Sequence, residues 1–228
     1  MTDLRFKNFE RIVFFTGAGM SAESGVPTYR GAGGIWREYN YEDYACQRAF
    51  EANPEKVSSC DPNRGHKIVA DIQAKIPNTV VVTQNIDGLH QRAGAKDVVE
   101  LHGSLWRVRC DPHEVNAKRE NIVREDFTVP MSPRKCDCGS YWRPDIVWFE
   151  DQLDHRVVRR AREAIEECDL LVSIGTSGVV YPAADLPRIA VARGAMTVEI
   201  NLEDTQVSHM YKHRLRGPAS EILALMAG

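Results

Sequence analysis

A chain of 228 residues, 43% hydrophobic and 27% charged, has the length for one sizeable domain with a small insertion and the composition of an ordinary globular protein. Its net charge of -3 gives no electrostatic case for nucleic acid or an anionic membrane as the main partner. No apolar run is long enough to span a bilayer, and the polar start MTDLRFKNFE does not read as a secretory signal, so a cytoplasmic protein is expected. In that compartment the six cysteines point to free thiols or metal ligands rather than to a disulfide framework.

The first apolar run, residues 12–15, fits a strand buried on both faces. Thr16-Gly17-Ala18-Gly19 follows, and glycines around an alanine let a backbone come close to a phosphate. Ser21, Glu23 and Ser24 suit a polar turn or a helix start. The dinucleotide fingerprint G-x-G-x-x-G is broken, because Gly17 and Gly19 are followed by Ala22. Alone, the stretch reads equally as a glycine-rich turn without a ligand. Gly31, Gly33 and Gly34 lead to Ile35-Trp36 and to Tyr39, Tyr41, Tyr44 and Phe50, which either line a groove or cover a small helical cap. Asn53-Pro54 and Asp61-Pro62 mark turns.

Residues 66–76 have helical spacing, with Ile68, Val69 and Ile72 on one face, and 79–83 (TVVVT) form a second candidate strand. Directly after it stand Gln84-Asn85-Ile86-Asp87-Gly88-Leu89-His90, polar groups where an open α/β sheet places its ligand contacts, or else simple helix caps. A third strand, 97–101, ends at His102-Gly103-Ser104. The stretch 109–143 then breaks the alternation: Cys110-x-x-His113 and, further on, Cys136-x-Cys138 suit four-donor structural zinc, with free thiols the other reading. Residues 143–149 are strand-like. Leu153, Val157, Ala161, Ile165 and Cys168 mark a helix face, 170–174 a strand ending in Gly175-Thr176-Ser177-Gly178, 182–193 a helix, 196–200 a strand ending at Asn201-Leu202-Glu203, and 219–226 a last helix. Such alternation predicts an α/β, doubly wound parallel sheet.

The ordered set GAGMSAESGVPTYRG, TQNIDGLH, LHGS, RPDIVWF, GTSGVVYP and EIN resembles the sirtuin family of NAD-dependent protein lysine deacylases over nearly the whole chain. The resemblance implies a Rossmann-like NAD-binding domain (1–30, 66–109 and 143–228), a helical insertion (31–65) and a zinc-ribbon-like insertion (110–142) holding one structural Zn(2+) on Cys110, His113, Cys136 and Cys138. It also implies that Gly17, Ala18, Gly19 and Ser21 hold the NAD phosphates, with Gly175, Thr176 and Ser177 on the adenosine side and Asn201, Leu202 and Glu203 at the adenine ribose. Pro27, Thr28, Tyr29, Arg30 and Trp36 would belong to the cofactor loop, Gln84, Asn85, Ile86 and Asp87 would surround nicotinamide and its ribose, and Ala219 would complete the cofactor set. His102 matches the catalytic base, with Asn85 and Asp87 beside it in the catalytic set. Val147, Trp148, Phe149, Gly178 and Val179 would clamp an acylated lysine peptide as an added strand.

In the implied chemistry the acyl oxygen attacks the anomeric carbon as nicotinamide leaves, His102 takes a proton from a ribose hydroxyl, and water releases lysine and O-acyl-ADP-ribose. Tyr44-Ala45-Cys46 is similar to the branch that accepts succinyl, malonyl and glutaryl lysine, where a small residue such as Ala45 leaves room. The Tyr-x-x-Arg pair that would bind the acyl carboxylate does not follow, so deacetylation is expected ahead of desuccinylation. Glu150 stands where the family usually has Gly. Mono-ADP-ribosyl transfer and a non-catalytic NAD or ADP-ribose sensor are the other readings.

Overall fold

All five residues of β1 (Ile12–Thr16) are buried, because the strand lies inside a six-stranded sheet with a partner on each side and helices over both faces. This computed structural model describes residues 4–26, 60–110, 123–125, 135–139, 141–148 and 151–228. Pro27, Thr28, Tyr29, Arg30, Trp36, the 39–50 aromatic segment, Ala45, His113, Phe149 and Glu150 lie outside the described residues.

β1 pairs in parallel with β2 (Val80–Thr83) on one side and β7 (Leu170–Ile174) on the other. With β3 (Val98–Glu100), β8 (Met196–Asn201) and β9 (His213–Arg216) the order is β3-β2-β1-β7-β8-β9, all parallel. Side chains alternate across it. Ile12 and Phe14 enter one apolar cluster with Val69 and Ile72 of α1 (Arg64–Lys75) and Leu223 and Met226 of α5 (Ala219–Ala227). Val13 and Phe15 enter the other, with Ala161 and Ile165 of α3 (His155–Glu167) and Leu186 and Ala190 of α4 (Leu186–Arg193). The doubly wound α/β sheet expected from the alternating elements is the one found.

The differences lie at element ends and at three strands. Asn63 caps α1 by accepting the His66 amide at 3.2 Å, so the helix starts at Arg64. After β1 the chain makes two 3₁₀ turns, Ala18–Met20 and Ala22–Ser24, instead of an α-helix. The expected 182–193 helix is a 3₁₀ turn, Ala183–Asp185, followed by α4, which Gly194 ends at φ +79°. α2 (Leu89–Arg92) is a single turn. β9, with one neighbour and the polar pattern His-Arg-Leu-Arg, was not expected.

Nor was β4 (Gly103–Arg109), the middle strand of an antiparallel sheet with β5 (Val123–Glu125) and β6 (Arg143–Ile146). β4 turns away from the parallel sheet immediately after His102. Gly103 sits at φ +79°, and a Cβ there would lie 2.0 Å from the Asp145 carbonyl oxygen, so only glycine makes this corner. Among the described residues no helix is long and apolar enough to cross a membrane.

Candidate active site

Strand order reverses between β1 and β7, and at that point a parallel sheet opens a crevice beyond its carboxyl ends. Two backbones cross there. Gly17 N–H donates to the Ile174 carbonyl (3.0 Å) and Gly19 N–H to the Gly175 carbonyl (2.9 Å). A Cβ on Gly19 would lie 2.6 Å from the Gly175 Cα, and Gly175 itself adopts φ +59°. The glycines are required by this crossing as well as by any ligand above it.

The β2 tip closes the crevice from one side. Gln84 N–H donates to the Thr16 carbonyl (2.9 Å), and the Gln84 side-chain amide donates to Thr176 Oγ1 (3.0 Å). Asn201, at the end of β8, donates to the Thr176 carbonyl (3.1 Å), so the tips of three strands are tied together. Leu202 beyond it is exposed, as is Glu203. Asn85 Nδ2 donates to the Gly17 carbonyl (3.0 Å) and to Ser21 Oγ (3.1 Å). Ser21 Oγ in turn donates to Asp87 Oδ2 (2.7 Å), while Asp87 Oδ1 accepts the Leu89 amide (2.9 Å). Burial raises the Asp87 carboxyl above the usual carboxylate range, against the pull of Ser21, Leu89 and Arg92. Ser21 is fully buried, with its hydroxyl held inside this network.

His102, half-buried at the end of β3, has Nδ1 2.8 Å from the Gln84 carbonyl oxygen. A carbonyl only accepts, so Nδ1 carries the proton and Nε2 keeps its lone pair. Burial lowers this imidazole's pKa, opposed by the bond to Gln84, which favours a neutral ring near pH 7. The His102 carbonyl accepts Val147 N–H at 2.9 Å, so the base and the segment after β6 are joined directly. Trp148 N–H is held by Asp151 Oδ2 (3.3 Å); Val147, Trp148 and Val179 are half-buried, and Gly178, at φ +68°, is packed against Val207. Ala219 opens α5, where Glu23 accepts both the Ser220 amide (3.0 Å) and its hydroxyl (2.5 Å).

Behind the site lie two histidines, of which the sequence reading placed His90 in the polar stretch after β2 and His66 only at the start of a helix. His66 Nε2 lies 3.5 Å from Ser21 Oγ, and His90 Nε2 lies 3.0 Å from Thr16 Oγ1, with the rings in edge contact at 4.8 Å. Burial pulls His66 down to about 4, partly opposed by Glu23, and holds His90 well below its ordinary value. For His66 the available signal was a polar residue on the same helix face as Val69 and Ile72.

Cys110 follows β4, and Cys136 and Cys138 sit on a turn before β6 that is closed by Gly139 N–H on the Cys136 carbonyl (2.8 Å). The three Sγ atoms lie within 4.8 Å of one another, with Cys110 and Cys138 at 3.4 Å. That separation is far above a disulfide bond, and three thiols so close suit one tetrahedral zinc ion.

A sequence profile described as the Sir2 family matches residues 17–182. The chain is 42% identical over 223 residues to an NAD-dependent protein deacylase of Aquifex aeolicus, covering 92% of this chain and 90% of that one. It is 44% identical over 223 residues to NAD-dependent protein deacylase 2 of Pyrobaculum aerophilum, covering 92% and 87%. Among solved structures, a Sir2 homologue in complex with ADP-ribose superposes with a TM-score of 0.85 at 36% identity over 99% of this chain and 93% of that one. A Sir2 complex with a p53 peptide and NAD+ gives 0.80 at 31% identity, over 98% and 94%.

Proposed function

The chain belongs to the Sir2 family, and on that premise we propose that it is an NAD-dependent protein lysine deacylase, releasing nicotinamide, free lysine and O-acyl-ADP-ribose. One observation carries the reading: His102, with Nδ1 pinned to the Gln84 carbonyl, presents a neutral Nε2 beside the loop that holds Asn85 against Gly17. When bound, NAD supplies the electrophilic sugar carbon and receives the acyl group.

The protein's own part is orientation and proton transfer. Gly17, Ala18, Gly19 and Ser21 form the phosphate side, Gly175, Thr176 and Ser177 the adenosine side, and Asn201, Leu202, Glu203 and Ala219 the far end of the cofactor. Asn85 and Asp87 shape the nicotinamide-ribose end. Asn85 is aimed by two hydrogen bonds and Asp87 by two, so little freedom remains to be lost when substrate arrives. His102 Nε2 accepts the ribose hydroxyl proton; a base positioned this way contributes roughly 10²–10⁴-fold. Val147, Trp148, Phe149, Gly178 and Val179 grip the peptide backbone. Cys110, Cys136 and Cys138, with His113 as fourth donor, would hold zinc as a structural brace, since four protein ligands leave no position for chemistry.

The domain division 1–30, 66–109 and 143–228 with insertions at 31–65 and 110–142 belongs to the same reading, as do the cytosol and a partner set without nucleic acid. Acetyl-lysine is the proposed substrate, and succinyl- or malonyl-lysine, for which Ala45 leaves room, is the second reading. The test is nicotinamide release with acetyl-, succinyl- and glutaryl-lysine peptides side by side, with product masses recorded. Acetyl turnover yielding O-acetyl-ADP-ribose is expected. ADP-ribosylated protein, or no nicotinamide with any peptide, would remove the deacylase reading.

A further inference from the structure

The loop that carries Asn85 and Asp87 is fastened to the chain entering β4 by a series of bonds. Leu101 N–H donates to the Thr83 carbonyl (2.9 Å), His102 Nδ1 to the Gln84 carbonyl (2.8 Å), Leu105 N–H to the Ile86 carbonyl (3.0 Å), and the Trp106 indole Nε1–H to the Asp87 carbonyl (2.7 Å). The series starts inside the parallel sheet and ends on a side chain of the antiparallel one. Its last member is the shortest, and it holds the peptide plane that joins Asp87 to Gly88.

The same indole fixes that plane sterically. Gly88 adopts φ +68°, and a Cβ there would lie 2.5 Å from Trp106 Nε1 and 2.6 Å from its Cδ1. The ring therefore lies directly on the glycine, and the Asp87 carbonyl has a donor aimed at it. On the other side of the same residue, the Asp87 carboxylate accepts Ser21 Oγ–H, and Ser21 also accepts Asn85. Asp87 is thus held at its carbonyl by Trp106 and at its carboxylate by Ser21, and Ser21 in turn helps to hold Asn85.

We propose that Trp106 is a positioning residue for the reaction: its indole N–H locks the 84–88 loop in the form that presents Asn85 and Asp87 to the nicotinamide-ribose end of NAD. This rests on the deacylase reading above. Trp106 touches no reacting atom and acts through the Asp87 carbonyl. Together with the Leu105 amide on the Ile86 carbonyl, it ties the loop to the strand that leads to Cys110, so the small sheet bears on the nicotinamide end through two hydrogen bonds from β4.

The test replaces Trp106 site-specifically with β-(3-benzothienyl)alanine, which keeps the bicyclic shape and puts sulfur where the N–H was, alongside Trp106→Phe. KM for NAD and the concentration of nicotinamide giving half-inhibition should both rise roughly three- to tenfold, the range of one neutral hydrogen bond. KM for the acetyl-lysine peptide should stay within about twofold, and melting should fall by no more than ~4 °C, as for a change of about 1 kcal/mol in a chain of this length. Wild-type KM for NAD and nicotinamide inhibition in the isostere would overturn the proposal. So would a drop in kcat alone with every KM unchanged, the mark of a merely smaller folded fraction. Lack of nicotinamide release by the wild-type enzyme would instead bring down the deacylase reading itself.

Discussion

Every residue of β1 and β7 is buried and apolar or hydroxyl-bearing, whereas β4 and β6 bring three arginines and an aspartate into the body of the small sheet. Asp145, 1% exposed, takes Arg107 Nε at 3.0 Å; Arg107 also reaches Glu100 at 2.6 Å, and Arg109 and Arg143 converge on Asp151 at 3.3 and 3.1 Å. One sheet is held by burial, which needs no particular partner. The other adds charge pairs to its backbone ladder, each of which fails if its partner is removed, and has a cluster of three thiols beside it. The loops gripping His102 and Asp87 span the two.

Four perturbations would break or sharpen that contrast. His102→Ala should lower deacylation by about 10²–10⁴-fold while melting and NAD binding persist, measured by turnover and calorimetry; retained activity would refute the assignment of the base. Phe14→Ala, which empties the space beside Phe6 (rings 5.4 Å apart), should cost about 3–5 kcal/mol in denaturant unfolding and weaken the whole molecule together.

Acid is the third. His66 titrates at about 4 when folded and near 6.5 unfolded, so above pH ~6.5 both states are neutral and the native state bears no proton-linked cost. As pH falls from 6.5 to 4 the unfolded chain binds the proton first, and stability drops by ~3 kcal/mol, with His90 adding in the same direction. Asp87, raised when folded, works the opposite way in acid. Denaturant midpoints measured across this window should flatten in His66→Gln; an unchanged slope would place the acid sensitivity elsewhere. The smallest effect on the whole should come from removing bound metal with a chelator. Hydrogen exchange is expected to speed up in β4 and β6 while β1 and β7 stay protected, and uniform deprotection would show that the two sheets do not open separately.

The same contrast decides what was legible in the sequence. β1, β2 and β7 were readable because a strand covered on both faces is a largely continuous apolar run, and β8 because Met196, Val198 and Ile200 alternate along it. β4 hid because Arg107 and Arg109 are inside only by virtue of Glu100, Asp145 and Asp151, residues distant in sequence or beyond a turn. β9 hid because an edge strand can carry His-Arg-Leu-Arg with a single neighbour. Within the site, Gln84, Asn85 and His102 stood out as polar groups at strand tips. The ring of contacts through Ser21, Asp87 and His66, and the indole of Trp106, depended on pairings that no local pattern encodes.

The crossing of Gly19 and Gly175 has a consequence for how mutants here are to be understood. Because each α-carbon meets the other segment's backbone, with a Cβ on Gly175 placed 2.5 Å from the Gly19 Cα, replacement of either by alanine would wedge the two halves of the sheet apart. Weakened nucleotide affinity in such an enzyme would record a spread seam, whatever the phosphates touch. Whether these amides hold the dinucleotide is better tested from the other partner, by comparing NAD with analogues altered at the pyrophosphate on an unaltered protein.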